Sequence, residues 1–248
     1  MLSYNVYQLG TRQSLILRQD ERVAEIAPLP GFSRETLAEA REELLAYIKR
    51  GIPPTLPSVR WGLSCLDRPF LPVCIPLSAL NHSHDGCATL KLKLGHLTVD
   101  EAVTHVRTYL GKFYLRLDCN RSWTLQQALH FASHFSPTDF EYLEEPTRDL
   151  VEFSKITQFP VAVDESFREG FPYLDIPTLK AVIIKPMLVG EIPQLPVPIV
   201  LSSSYESSIG ILHIAQRASP HIAHGLDTFK DDLLSPPLRV ENGHLVWK

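Results

Sequence analysis

Hydrophobic and polar residues along this chain alternate singly in short runs and recur at three- and four-residue spacing between those runs. The run TLKLKLG, residues 89–95, alternates most clearly. Its period of two puts Leu90, Leu92 and Leu94 on one face of a strand and Lys91 and Lys93 on the other. Further runs predict strands at 72–77, 90–95, 113–119, 140–145, 161–165, 181–186, 198–203 and 221–226. Helical periodicity fills intervals between them. Thr98 with Glu101 forms a capping box ahead of VDEAVTHVRTYL, and Thr124 with Gln127 forms another ahead of LQQALHFASHF. Segments 147–157 and 206–218 are also helical by period.

The start of the chain has a different texture. Residues 4–26 predict short strands, with alternation in RQSLILRQ. Ser33 is placed to cap a helix running to Arg50, with Leu37, Ala40, Leu44, Tyr47 and Ile48 on one face. Gly51 is a stop signal, and Pro53 and Pro54 prevent continuation. The proline-rich stretches 52–76 and 186–198 predict irregular connections.

Eight strands with helical crossovers predict an α/β fold, a (β/α)8-type barrel, with a doubly wound open sheet as the alternative. Two crossovers are trimmed. Only residues 186–198 separate Lys185 from Ile199, with prolines at 186, 193, 196 and 198, and SALNHSHDGCAT is too short and polar for a good helix. The division expected is a small α+β domain at 1–60 and the barrel at 61–248.

Composition narrows the class. Hydrophobic residues make up 44% and charged residues 21% of 248, as in soluble globular proteins. No apolar run approaches the roughly 20 residues of a membrane span, and MLSYNVYQLGTRQSL lacks the form of a secretory signal. A cytoplasmic protein without a membrane partner is expected. The net charge of −4 and the lack of a basic block speak against nucleic acid. Cys65, Cys74, Cys87 and Cys119 form no CxxC and are expected to be free thiols.

The candidate chemistry lies at the strand ends. Lys93, Asp118, Glu144, Asp164 and Lys185 follow one another at steps of 25, 26, 20 and 21 residues, about one β–α unit each. In a barrel every C-terminal strand end opens on one mouth, where active sites sit. Asp118, Glu144 and Asp164 supply oxygen ligands from three strands and suit a hard divalent ion, Mg2+ first and Mn2+ as the alternative. Amines beside a cation and another amine suit a general base, and metal with lysines suits proton removal α to a carboxylate. Alternation lets only one of Glu144 and Glu145 point inward, and Glu165 is the neighbour of Asp164 in the same way. His82, His84, Asp85 and Cys87 in HSHDGC raise a zinc site, but no second ligand pair matches in spacing, so a polar connection is preferred. SSSYESSIG resembles a phosphate-binding nest without the lysine and glycine spacing of a P-loop, so carboxylate binding is preferred.

KxK on the second strand, RLDCNRSW, LEEP, VDES, IIKPMLVG, LSSSYESSIG and HGLDT occur in this order. Together they resemble the enolase superfamily, most of all its o-succinylbenzoate synthase branch in menaquinone biosynthesis. AEIAPLPGFSRETLAEA resembles that branch's capping domain. The resemblance implies a Mg2+-dependent hydro-lyase acting on 2-succinyl-6-hydroxy-2,4-cyclohexadiene-1-carboxylate, a small carboxylate. It makes Lys93 the base, which takes the α-proton and returns a proton to the leaving hydroxyl in a syn dehydration. Lys91 would stabilise the enediolate and tune Lys93, and Lys185 would lie on the opposite face of the ring. Asp118, Glu144 and Asp164 would hold the metal, with Asn120 supporting them. Arg116 would reach the succinyl carboxylate through water, with a structural ion pair as its other reading. Backbone around Ser202, Ser204 and Gly225 would donate to substrate.

Two other functions compete. An N-acylamino acid racemase or dipeptide epimerase would use Lys93 and Lys185 as opposed bases, but HGLDTF offers a single Asp227 where an epimerase would show Asp-x-Asp. An inactive binding or scaffold relative would not need six charged groups brought together at a cost in desolvation.

Overall fold

Three extended runs joined by two-residue connections open the chain, with Gly10 and Asp20 taking the positive φ that such tight turns require. They are β1 (Ser3–Leu9), β2 (Arg12–Gln19) and β3 (Arg22–Ile26), an antiparallel sheet in that order, with Leu15 and Leu17 of β2 fully buried. Helix α1 (Leu37–Arg50) follows. Its cap is Thr36, in a capping box with Glu39, rather than Ser33, whose hydroxyl instead accepts the Leu29 amide at 2.8 Å. Gly51 ends the helix at φ 67, with its N–H on the Tyr47 carbonyl.

The next stretch corrects an expectation. Residues 52–76 are not all irregular: α2 (Pro57–Cys65) forms there. Its N-cap, Leu56, makes no side-chain cap bond, and the local start signal is Pro57 at the first helical position. Acids distant in sequence take the orphan amides. Glu43 accepts from Thr55 and Leu56, and Glu35, which is buried, accepts from Ser58 at 2.8 Å.

The elements that follow are β4 (Val73–Pro76), β5 (Ser78–Leu80), β6 (Thr89–Lys93), α3 (Val99–Arg107), β7 (Tyr114–Asp118), α4 (Leu125–Ala132), β8 (Tyr142–Glu144), α5 (Leu150–Phe153), β9 (Val161–Val163) and α6 (Glu165–Arg168). The chain continues with β10 (Leu179–Ile184), α7 (Pro186–Val189), β11 (Ile199–Leu201), α8 (Ser208–Ala215), β12 (Arg239–Glu241) and β13 (His244–Trp247). These come from a computed structural model that describes residues 1–153, 155–231 and 233–248. The helix expected over 147–157 includes one residue outside that set, and α5 is its helical portion.

The chain divides into two compact units. One comprises residues 77–183 and 195–200. Its centre is a curled, seven-stranded parallel sheet in the order β11-β10-β9-β8-β7-β6-β5. Both predicted capping boxes form, at Thr98 for α3 and Thr124 for α4. Helix α3 buries Val99, Ala102, Val103 and Val106, while α4 buries Ala128, Phe131 and Ala132. Phe131 and Phe140 anchor an aromatic cluster with Trp123, Phe135 and Phe159. No helix lies between β5 and β6, and one turn, α7, lies between β10 and β11, so the trimmed crossovers are real.

The other unit comprises residues 1–76, 184–194 and 201–248. It holds the β1-β2-β3 sheet, α1, α2, the buried apolar helix α8 and a second antiparallel sheet, β12-β13-β4. That sheet changes the strand assignment at both ends of the predicted eight. The run 72–77 is β4, which pairs with β13 rather than entering the parallel sheet, and the parallel sheet begins instead at β5. The run 221–226 is not a strand but holds isolated bridge positions at His224 and Gly225, the latter paired with Ser202. The hairpin β12–β13 turns at Asn242-Gly243, both at positive φ, an Asn-Gly signal not used in the strand assignment.

Candidate active site

In the unit built on the parallel sheet, β6 has the alternation its sequence predicts. Leu90, Leu92 and Leu94 are fully buried on one face. Lys91 and Lys93 lie on the other, their side chains 14% and 33% exposed. Parallel pairing then sets the neighbours level with one another. Lys93 is opposite Asp118 of β7, and Asp118 is opposite Glu144 of β8. Gly95 ends the stretch where a Cβ would stand 2.5 Å from the Cys119 carbonyl and the Ser122 hydroxyl, so no larger residue fits without a shift.

The two lysines meet the two carboxylates. Lys91 Nζ donates to both oxygens of Glu144 at 2.7 Å and lies 2.9 Å from Asp118 Oδ2. Lys93 Nζ donates to Asp118 Oδ2 at 2.8 Å and to Asn120 Oδ1 at 3.1 Å. Asp118 Oδ1 accepts the Asn120 amide at 3.0 Å. Burial works against the charge on Lys91, but Asp118 and Glu144 outweigh it and raise its pKa well above the ordinary lysine value. Burial likewise opposes ionisation of Asp118, and Lys91 and Lys93 together hold its carboxyl well below the usual carboxylate range. Lys91 is thus a fixed cation between two fixed anions.

Asp164, also buried, immediately follows β9 and precedes α6. Asp118, Glu144 and Asp164 therefore end or follow three adjacent strands, each offering carboxylate oxygen, a donor set that fits a hard divalent cation. Lys91 Nζ stands between Glu144 and Asp118 and bridges two of the three.

Two family models match the chain: "Enolase C-terminal domain-like" over residues 78–184 and "MenC, N-terminal domain" over residues 5–68. An o-succinylbenzoate synthase of Klebsiella pneumoniae (strain 342) is 35% identical, covering 89% of this chain and 84% of its own length. The chain belongs to the o-succinylbenzoate synthase family of the enolase superfamily. The o-succinylbenzoate synthase of Yersinia enterocolitica is also 35% identical, over 97% of this chain and 93% of its own. Among solved structures, o-succinylbenzoate synthase from Thermosynechococcus elongatus BP-1, complexed with Mg in the active site, is 24% identical. It superposes with a TM-score of 0.72 over 90% of this chain and 92% of that one. Dipeptide epimerase from Enterococcus faecalis V583, 18% identical with a TM-score of 0.75 over 99% and 95% of the two chains, shares the fold.

Within this synthase-family chain, the remaining predicted site residues divide. Lys185 immediately follows β10, is half-buried and caps α7 with extended backbone. Arg116 is buried opposite Lys91 in register, donates through Nε to Glu141 at 2.5 Å and lies over the Tyr142 ring at 5.3 Å. That geometry shows an ion pair with Glu141 through Nε.

The backbone amides expected to meet substrate are committed within the protein. Ser202 N donates to Ile184, Gly225 N to Leu201, and Ser204 N to the Glu206 carboxylate. A parallel bridge and an adjacent acid supply partners that sequence spacing does not reveal. The Ser204 hydroxyl is buried and has no hydrogen-bond partner among the described residues. Arg12 holds the same segment from β2, donating to the Ser204 and Tyr205 carbonyls at 2.9 and 2.5 Å.

Sequence reasoning passed over Glu145. It is fully buried, with φ 42, and its carboxylate receives the Asp164 and Ser166 amides, the Ser166 hydroxyl and Arg121. The cue was the dipeptide Glu144-Glu145 itself. Two adjacent acids at the end of a buried strand cannot both face solvent, so each needs its own partners.

Proposed function

We propose that this chain converts 2-succinyl-6-hydroxy-2,4-cyclohexadiene-1-carboxylate to o-succinylbenzoate, a hydro-lyase reaction. The convergence of Lys91 and Lys93 on Asp118 and Glu144, in a member of the o-succinylbenzoate synthase family, carries this reading.

Asp118, Glu144 and Asp164 are the residues that would hold a divalent cation, Mg2+ by preference and Mn2+ as the alternative. When bound, such a cation supplies positive charge to the substrate carboxylate. Lys93, in its neutral form, takes the proton from the ring carbon bearing that carboxylate. Electrons from that C–H bond move into the carboxylate, and the fixed charge of Lys91 stabilises the resulting enediolate. Lys93, now an ammonium, returns its proton to the ring hydroxyl on the same face. The C–O bond breaks, water leaves and the ring becomes aromatic. Lys185 supplies a second ammonium against the developing negative charge.

Incubation of the purified chain with the cyclohexadiene precursor and Mg2+ tests the reading. An aromatic absorbance should rise, EDTA should abolish the rise, and added Mg2+ should restore it. No product at high enzyme concentration contradicts it.

A further inference from the structure

One polar network ties together the three strand ends that carry Asp118, Glu144 and Asp164. From β7, three residues beyond Asp118, Arg121 donates its Nε to Glu145 Oε2 at 2.9 Å, an Nη to the Ser166 hydroxyl at 3.0 Å and the other Nη to Glu169 at 2.7 Å. From β8, Glu145 stands next to Glu144, and its Oε1 receives the amides of Asp164 and Ser166 at 2.7 and 2.8 Å. From the end of β9, the Ser166 hydroxyl donates to Glu145 Oε2 at 2.7 Å. Backbone bonds reinforce the join: Arg121 N donates to the Glu145 carbonyl at 2.7 Å, and Glu145 N to the Ala162 carbonyl at 3.1 Å.

Each strand thus provides one carboxylate for the site and one member of the network. Glu145 has two donors on each oxygen, which is the capacity of a carboxylate. Asn120, Arg121 and Glu145 all hold positive φ, a conformation non-glycine residues keep only where their surroundings over-determine it. This backbone turns Glu145 away from the lysines that Glu144 meets. Three acidic groups at adjacent strand ends repel one another, and an ion pair between the fully buried, fully bonded Glu145 and the partly buried Arg121 can supply register.

We propose that Arg121 and Glu145 are positioning residues that brace the ends of β7, β8 and β9 at the spacing in which Asp118, Glu144 and Asp164 receive a divalent cation. The proposal rests on the assignment of those three carboxylates as its ligands. Neither Arg121 nor Glu145 touches the cation or the substrate.

The test is Mn2+ binding to the full chain, read as free Mn2+ by EPR, with melting temperature and kcat measured alongside. Wild type should bind Mn2+. Arg121→Ala should weaken binding by about 10- to 100-fold, the usual effect of losing a group that orients a ligand. Arg121→Lys should fall between the two, because it keeps the charge without the fork. In all variants kcat should recover toward wild type at saturating Mn2+, since the loss is in cation affinity. If Arg121→Ala does not fold, Arg121→Lys and Ser166→Ala decide by the same readout. Mn2+ affinity within about twofold of wild type in these folded variants, with only the melting temperature lowered, overturns the brace and leaves the proposed reaction standing. A wild-type chain that binds no Mn2+ overturns the brace and the ligand assignment together.

Discussion

Leu92 and Lys93 are neighbours in sequence with opposite surroundings, and the period of two in β6 separates them. Leu92 is fully buried, so Leu92→Ala should lower unfolding free energy by about 2–5 kcal/mol, measured by urea titration. At this scale the sequence shows which residue types stand at strand ends: Lys91, Lys93, Asp118 and Glu144 do meet. It does not show what each side chain does once the strand stops. Glu145 leaves the alternation because its φ turns positive, and Arg116 is taken by Glu141, whose place beside it depends on strand pairing. Both facts belong to backbone geometry and register, which residue identity does not encode locally.

Among elements, those with local signals were legible and those with borrowed ones were not. Helices α3 and α4 carry their own capping boxes and form where expected. Thr98→Ala should cost about 1 kcal/mol of stability, because the Glu101 amide loses its acceptor; thermal unfolding checks this. Helix α2 has only Pro57 as a local start signal, and Glu35 and Glu43 cap it from elsewhere. Strand β4 has the composition of a parallel-sheet strand but pairs antiparallel with β13, and that choice is made by a hairpin over 160 residues away. The eighth predicted strand reduces to bridge positions at His224 and Gly225, and at Gly225 a Cβ would stand 2.8 Å from the Ser202 hydroxyl.

For the whole molecule, motif order carries the family, while a buried acidic pair outside the proposed reaction has no signal in the sequence. Glu25 and Glu206 are both buried, with Ser207 donating to Glu25 and Ser204 N to Glu206. Burial, aided by the charge of Glu25 and opposed by Arg12, pushes Glu206 up to about 7 from its ordinary 4.5. A folded-state value above the unfolded one means that protonation favours the folded state. This contribution is full below pH 4.5, declines as pH rises toward 7, and is lost above it. Glu206→Gln should therefore gain melting temperature over wild type at pH 8 and lose that advantage at pH 5. A difference that does not vary with pH between those points contradicts the assignment.

The central claim is that Lys93 moves the proton. Its most direct test is a single-turnover assay of the cyclohexadiene precursor with Lys93→Ala and wild type, with Mn2+ bound to both. A positioned base contributes about 10^2- to 10^4-fold, so Lys93→Ala should fall by at least about 10^2-fold while its Mn2+ affinity is unchanged or tighter, Asp118 having lost a competing ammonium. Turnover by Lys93→Ala within about tenfold of wild type would contradict the account.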